Sequence, residues 1–385
     1  MNRRALGAPL GLAGVLAAVL AAVLAGVLAI AGCTSSAPAA GSGTTAGGPA
    51  RPDITLAQAR QVWDRSQAAG AQVDKAGNGK PALPTETGPW LASASASVTI
   101  QAGIMKAEQA SGTLIGTAEL SIVPAGPPTF YLPEQAGYPR FFVAQVTNKY
   151  ATGTSPALST PQSDDGAQVY LLGPQLLLFE QARAGAPWLL ADVSTLAVGE
   201  TVPRLAADSA GYIPTVSLSD ASLLTKPADT GALQAAVVDD GPASAATKAV
   251  TAGQLTTGLY QGAVAHKDEL APPAGDDYQW ALEGASYPQF ALRTAAGGAL
   301  VFYAMSLTTT VAVPDVINKA DPVKPGAPIQ VPLDVKALLP AGKAAPRVEL
   351  SAVQTLTFAA VDPPAGTGKI QVISMSGGLT AASAS

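Results

Sequence analysis

The sequence predicts an α+β fold built from two similar units. Three observations predict it. Each half opens on residues with helical spacing of apolar side chains. Each half then turns to short apolar runs separated by Pro/Gly tracts, the pattern of antiparallel hairpins. Each half also contains a Tyr-Pro-x-Phe motif and ends in a strand–turn–strand, which suggests a duplication. Element order of this kind, helices first and strands after, places each unit in the α+β class.

In the first half, Asp53 or Thr55 can cap a helix because a short side-chain oxygen accepts from its free amides. Leu56, Ala59, Val62, Trp63, Ser66 and Ala69 or Gly70 then fall on one side. Trp63 is expected in the core. Gly77-Asn78-Gly79 should end the helix. From Ser93 to Ile100 the residues alternate, which reads as a strand, and Thr113 to Val123 reads as another. Phe130–Leu132 and Tyr138–Val146 follow as strands, the second solid enough to be buried. Gln168 to Arg183 and Trp188 to Val193 form the closing pair around Ala184–Pro187.

The second half repeats this texture. Gly231 to Val238 reads as a short helix. Ala243 to Leu270 reads as a longer one, weakened by Gly253, Gly258 and Gly262, with Val250, Leu255, Leu259 and Val264 on its apolar side. Tyr287-Pro288-Gln289-Phe290 echoes Tyr138-Pro139-Arg140-Phe141. Ala299 to Val313, Val348 to Val361 and Lys369 to Met375 read as strands, with a short helix at Leu333 to Leu339. The boundaries expected are 53–205 for the first domain and 212–385 for the second.

Ahead of both lies a different kind of segment. Arg3 and Arg4 precede an uncharged apolar run from Ala5 to Ile30, which ends in Ile30-Ala31-Gly32-Cys33. A basic head, an apolar stretch and small residues before a cut site make a secretory signal over residues 1–32. The run is also long enough to span a bilayer, which takes about 20 residues. The position of the chain's one cysteine, after Ala-Gly and before a Ser/Pro/Ala tract, favours cleavage. Residues 33–52, rich in Ser, Thr, Gly, Ala and Pro, read as a flexible tether.

Composition excludes several functions. The net charge is −5, and loss of the two leading arginines would bring it near −7. Such a balance argues against binding nucleic acid, which needs a basic surface. Cys33 is the one cysteine, so the body beyond it has no disulfide, no thiol nucleophile and no cysteine metal site. A zinc site needs several His or Cys, and His266 is the one histidine. It sits among Lys267, Asp268 and Glu269, near a helix end, where a solvated imidazole is expected.

The pairs Asp164-Asp165, Asp239-Asp240 and Asp276-Asp277 each adjoin glycine and read as turn chemistry. No calcium-loop spacing is present. Gly366-Thr367-Gly368-Lys369 resembles the end of a phosphate loop, but Pro363 and Ile370 stand where that loop needs Gly and Ser or Thr. No G-x-S-x-G elbow occurs. Trp90, Phe130, Tyr131, Tyr138, Tyr278, Trp280 and Tyr287 gather around the two Tyr-Pro motifs, as core packing or as the lining of an apolar pocket. No catalytic residue, cofactor or metal is expected.

A helix followed by antiparallel strands and a final hairpin is similar to the NTF2-like and cystatin-like folds, which wrap a curved sheet around a helix. Ile30–Cys33 looks like the lipobox of bacterial lipoproteins. That resemblance implies diacylglyceryl attachment at Cys33 and anchoring on the extracytoplasmic face of the cell membrane. The whole chain resembles actinobacterial secreted lipoproteins of unknown function. The residues carrying this are the lipobox, Ile54–Ala59, Thr129–Pro133 with Gly137-Tyr138-Pro139, Phe290–Thr294 and Gly297–Leu300. The expectation is a non-enzymatic binding or scaffold protein of the cell envelope. A carrier of a lipid or small apolar ligand and a carboxylate-dependent hydrolase remain as alternatives.

Overall fold

The computed structural model describes residues 51–52, 54–76, 78–111, 121–152, 162–164, 167–171, 173–270, 277–312, 329–343, 345–346 and 348–385. The signal segment, Cys33 and nearly all of the tether lie outside these residues. Among them no helix is long and apolar enough to cross a membrane.

The fold is α+β, with a large, mostly antiparallel sheet and few helices. Helix α1 (Leu56–Ala76) is followed by α2 (Gly88–Ser111). The first-half strands are β1 (Arg51–Pro52), β2 (Ser121–Pro124), β3 (Thr129–Gln135), β4 (Arg140–Val146), β5 (Asn148–Thr152), β6 (Gln162–Asp164), β7 (Ala167–Leu171), β8 (Gln175–Gln181) and β9 (Leu189–Leu196). A connector carrying β10 (Tyr212–Pro214) leads to α3 (Thr230–Asp240) and α4 (Thr257–Leu270). Then come β11 (Asp277–Gly284), β12 (Phe290–Arg293), β13 (Ala299–Ala312), α5 (Leu333–Leu338), β14 (Glu349–Asp362) and β15 (Gln371–Ala384).

The main sheet runs β1-β3-β4-β8-β9-β15-β14-β13-β11, with β10 on β3 and β12 on β13; β2-β5-β7-β6 form a smaller sheet. The two halves therefore share one sheet. They meet where β9 pairs β15 antiparallel, Leu196 opposite Ser374 and Thr195 opposite Met375. Small polar groups reinforce this seam. Ser374 Oγ donates to Ser194 Oγ at 2.9 Å, and Thr357 Oγ1 donates to the Val193 carbonyl at 3.0 Å.

Alternation along the strands sorts the apolar residues into layers. On β4, Phe142 and Ala144 face α1, packing with Ala59, Val62, Trp63 and Phe179. Phe141 and Val143 face the other way, into a core that also holds Leu178, Leu300, Phe302, Ala359 and Ile373. On β13, Val301, Tyr303 and Met305 point away from that core onto α3, beside Val237, Val238 and Phe358. The sheet thus folds over, so that its two halves pack on each other with a helix outside each. The far ends of β13 to β15 form a satellite cluster in which Ile100 of α2 meets Val335 of α5, Leu350 and Leu379.

Several expectations are met residue by residue. Trp63 is buried. Thr55 caps α1 in a capping box: its Oγ1 accepts from Gln58 N at 3.2 Å, while its own N–H donates to Gln58 Oε1 at 2.9 Å. On α1, however, Leu56 is 45% exposed, and Val73 takes the buried position a turn beyond Ala69.

The larger correction concerns Ser93–Ile100, which is helix, not strand. The alternation there is between Ser and Ala, which is a weak polarity contrast, and Ala is the best helix former. Pro89 sits in the first helical turn, where its missing N–H costs nothing. The buried residues Pro89, Ser93, Ala96 and Ile100 repeat at three and four, the helical period. Ala243–Leu270 is not one helix: two 3-10 turns and a loop precede α4, because Gly253 and the Thr251 and Thr256 hydrogen bonds organise a turn instead. Gln168–Arg183 breaks at Gly173-Pro174 into β7 and β8. Of Thr113–Val123, the stretch up to 120 lies outside the described residues and β2 occupies the rest.

Candidate functional site

The two Tyr-Pro-x-Phe motifs meet in space. The first turns β3 into β4, and the second lies between β11 and β12, two pieces that both pair with β13. Their phenylalanines, Phe141 and Phe290, pack with ring centroids 4.5 Å apart. The connector crosses over this meeting point and hydrogen-bonds both outer strands. Thr215 N and Oγ1 donate to the Glu134 carbonyl at 3.4 and 3.1 Å, Val216 N donates to Ala291 O at 2.9 Å, and Ala206 N donates to Arg293 O at 2.9 Å. Arg293 Nη2 also donates to Asp220 Oδ2 at 2.6 Å, which pins the segment after Leu218.

Between connector and motifs lies a groove of about 240 Å³. Pro139, Phe141, Val216 and Phe290 supply its apolar wall, and Gln135, Thr215 and Gln289 supply polar groups. Gln135 is held by donating Nε2 to the Pro139 carbonyl at 2.6 Å. At the rim, Tyr138 is 41% exposed, and the Arg140 guanidinium lies 4.8 Å from its ring centroid. Behind Phe290 is a second, interior cavity of about 20 Å³, bounded by Pro89, Glu180, Asp192, Pro288 and Phe302 among others. That is room for about one water molecule. Between the sheet halves, Phe302 packs with Phe141, Leu300, Ala359 and Ile373.

The residues singled out in the sequence are scattered. Asp239 Oδ1 accepts from Leu282 N at 3.0 Å and so ties the end of α3 to β11. Asp164 ends β6, Asp277 begins β11, and Asp165 and Asp276 lie outside the described residues. His266 is half-buried on α4, not solvated: its ring meets Tyr278 edge-on at 4.8 Å, because β11 passes beneath that helix face. The lysine of the glycine-rich turn, Lys369, donates its Nζ to the Thr247 carbonyl at 2.8 Å, a structural tie. Among the described residues no group of three or more metal-ligating side chains occurs. Of the aromatics, Trp90, Phe130 and Tyr131 pack against core, and Tyr138 lies exposed at the groove.

Among the described residues, four carboxylates raised by burial were not singled out, and one of them, Asp362 at the end of β14, is pushed up to about 6. Burial pushes Glu86 up to about 7, against the lowering effect of its bond from Trp90 Nε1 at 3.0 Å. Burial also pushes Asp192 up to about 7, against the Thr357 hydroxyl. Glu180 is raised by burial as well. A signal for Asp192 was present: it is the one charged residue inside Leu189-Leu190-Ala191-Asp192-Val193, a run otherwise fit for a core.

A family model described as a domain of unknown function (DUF8094) matches residues 50–384, spanning both halves of the sheet. No curated protein and no solved structure matches the chain.

Proposed function

For a chain that belongs to this family, the domain of unknown function DUF8094, we propose the role of a non-enzymatic binding or scaffold protein, held on the extracytoplasmic face of the cell membrane by lipid at Cys33. Its binding site is the groove where the Tyr-Pro motifs meet, and its ligand is an extended segment of an envelope protein. The observation that carries this is the contrast between the small interior cavity and the open, mixed groove. About 20 Å³ beside Asp192 holds no lipid, whereas about 240 Å³ at Phe141 and Phe290 suits one or two side chains. Pockets for small molecules are larger, about 300–1,000 Å³. Tyr138 and Arg140, which stand together beside the groove, are of residue types enriched among those that carry the energy of protein interfaces. The lipobox residues Ile30–Cys33 support the location.

The two halves are read as copies of one NTF2-like or cystatin-like unit. In support, each half supplies helix and then four strands in meander order, β3-β4-β8-β9 and β11-β13-β14-β15, and their last strands pair.

One fractionation experiment tests both parts. Wild type should stay with the membrane and run in detergent as a complex larger than the body alone. Cys33→Ala should accumulate as precursor that takes up no labelled lipid. Ala136→Arg, which fills the groove from an exposed position, should stay anchored but run as the body alone. Unchanged lipid uptake by Cys33→Ala removes the anchor, and an unchanged complex for Ala136→Arg removes the groove.

A further inference from the structure

The start of α2 is seated on β9 between two buried acids. Thr87 N donates to the Leu190 carbonyl at 2.8 Å, and Glu86 forms a bridge with Leu190. Gly88, at φ +57°, lies against β9, where an added Cβ would sit in ordinary contact with the Ala191 carbonyl at 3.5 Å. Pro89, one residue on, forms part of the wall of the interior cavity that Asp192 also lines. From this seat α2 crosses to the far ends of β14 and β15 and to α5.

Both acids are nine-tenths or more buried, and each has one oxygen without a hydrogen-bond partner. Glu86 is 9% exposed, and its Oε2 is the orphan. Asp192 is 7% exposed, and its Oδ1 is the orphan. An ionised carboxylate in such a place is costly unless it is paired. The cavity wall brings Glu180 from β8 and the ring of Tyr303 from β13, whose hydroxyl is turned away to Gln234 at 2.8 Å; no basic side chain lines it. Lys106, the basic residue of α2, is exposed near that helix's other end. The positive end of α2 favours ionisation of Glu86, but burial outweighs it and sets the direction of the shift.

We infer that the seating of α2 on β9 is proton-linked: it is closed while Glu86 and Asp192 are neutral, and ionisation of either favours its release. The sign follows from linkage. With the seat open, both acids are ordinary carboxyls that titrate near 4, and with it closed they titrate near 7. Below about 4 both states are protonated and the seat keeps its full stability. The stability is lost progressively as pH rises through about 7.

Hydrogen exchange of the full-length protein tests this, read as protection factors corrected for the intrinsic pH dependence. Amides 87–100 should lose on the order of tenfold or more protection between pH 5 and pH 8, while amides 302–305 of β13, away from the buried Asp362 that pairs with Ala299, change little. Glu86→Gln with Asp192→Asn should flatten the profile, and Glu180→Gln should leave it in place. Should the double variant not fold, the wild-type profile and Glu86→Gln alone still decide. Protection that is unchanged in wild type, that falls equally throughout the protein, or that keeps its pH dependence in the amide variants overturns the inference.

Discussion

Phe302→Ala is expected to lower the free energy of unfolding by about 3–5 kcal/mol, measured by chemical denaturation. Phe302 is 2% exposed on β13, in the core where the two halves of the sheet face each other. Its removal leaves a cavity that Phe141, Leu178 and Ile373 cannot fill, because they are fixed in three different strands. One core serves both halves, so they should unfold together in wild type and variant alike. Trp63, Trp90 and Trp188 report on the first half and Trp280 on the second. Fluorescence with and without Trp280→Phe should therefore trace coincident transitions. A first half that unfolds separately would show that the shared core does not couple them.

Gly377→Ala should cost roughly 3 kcal/mol or more, or prevent folding. Gly377 opposes Leu356 in the β14–β15 ladder with φ +149°. A Cβ there would overlap the Thr355 carbonyl and press on the Leu356 Cα at 2.8 Å. Backbone atoms cannot rotate away as a side chain can, so the ladder itself must part. Gly126→Ala is the comparison, because a Cβ there meets nothing within 4 Å. It should change stability by no more than about 0.5 kcal/mol. Equal behaviour of the two variants would mean that β15 does not hold this register.

The strand cores were legible because their solid apolar runs, Phe141–Val143, Leu176–Phe179 and Leu300–Phe302, are buried on both faces and need no alternation. Helix α1 was legible through Thr55 and the spacing of Ala59, Val62 and Trp63. Helix α2 was not, since Ser and Ala carry too little contrast in polarity to declare a period. The pairing of β9 with β15 was not legible either, because contacts such as Ser194 with Ser374, 180 residues apart, leave no local mark. The repeated Tyr-Pro-x-Phe motif did mark the candidate site, though it suggested equivalence where the fold shows contact: one copy opens β4 and the other β12, and they converge on each other. The buried acids depend on a helix seat that only the tertiary structure creates.

Whether the groove binds a partner is most directly read by photo-crosslinking in intact membranes. A benzophenone side chain replaces Ala136 at the groove in one protein and the exposed Lys343, in the turn after α5, in another. The groove position should give a discrete adduct with one envelope protein, lost when the Tyr138 and Arg140 pair is replaced by alanines, and position 343 should give none. No adduct at 136, or the same adduct from both positions, would contradict a binding site at the meeting of the two motifs.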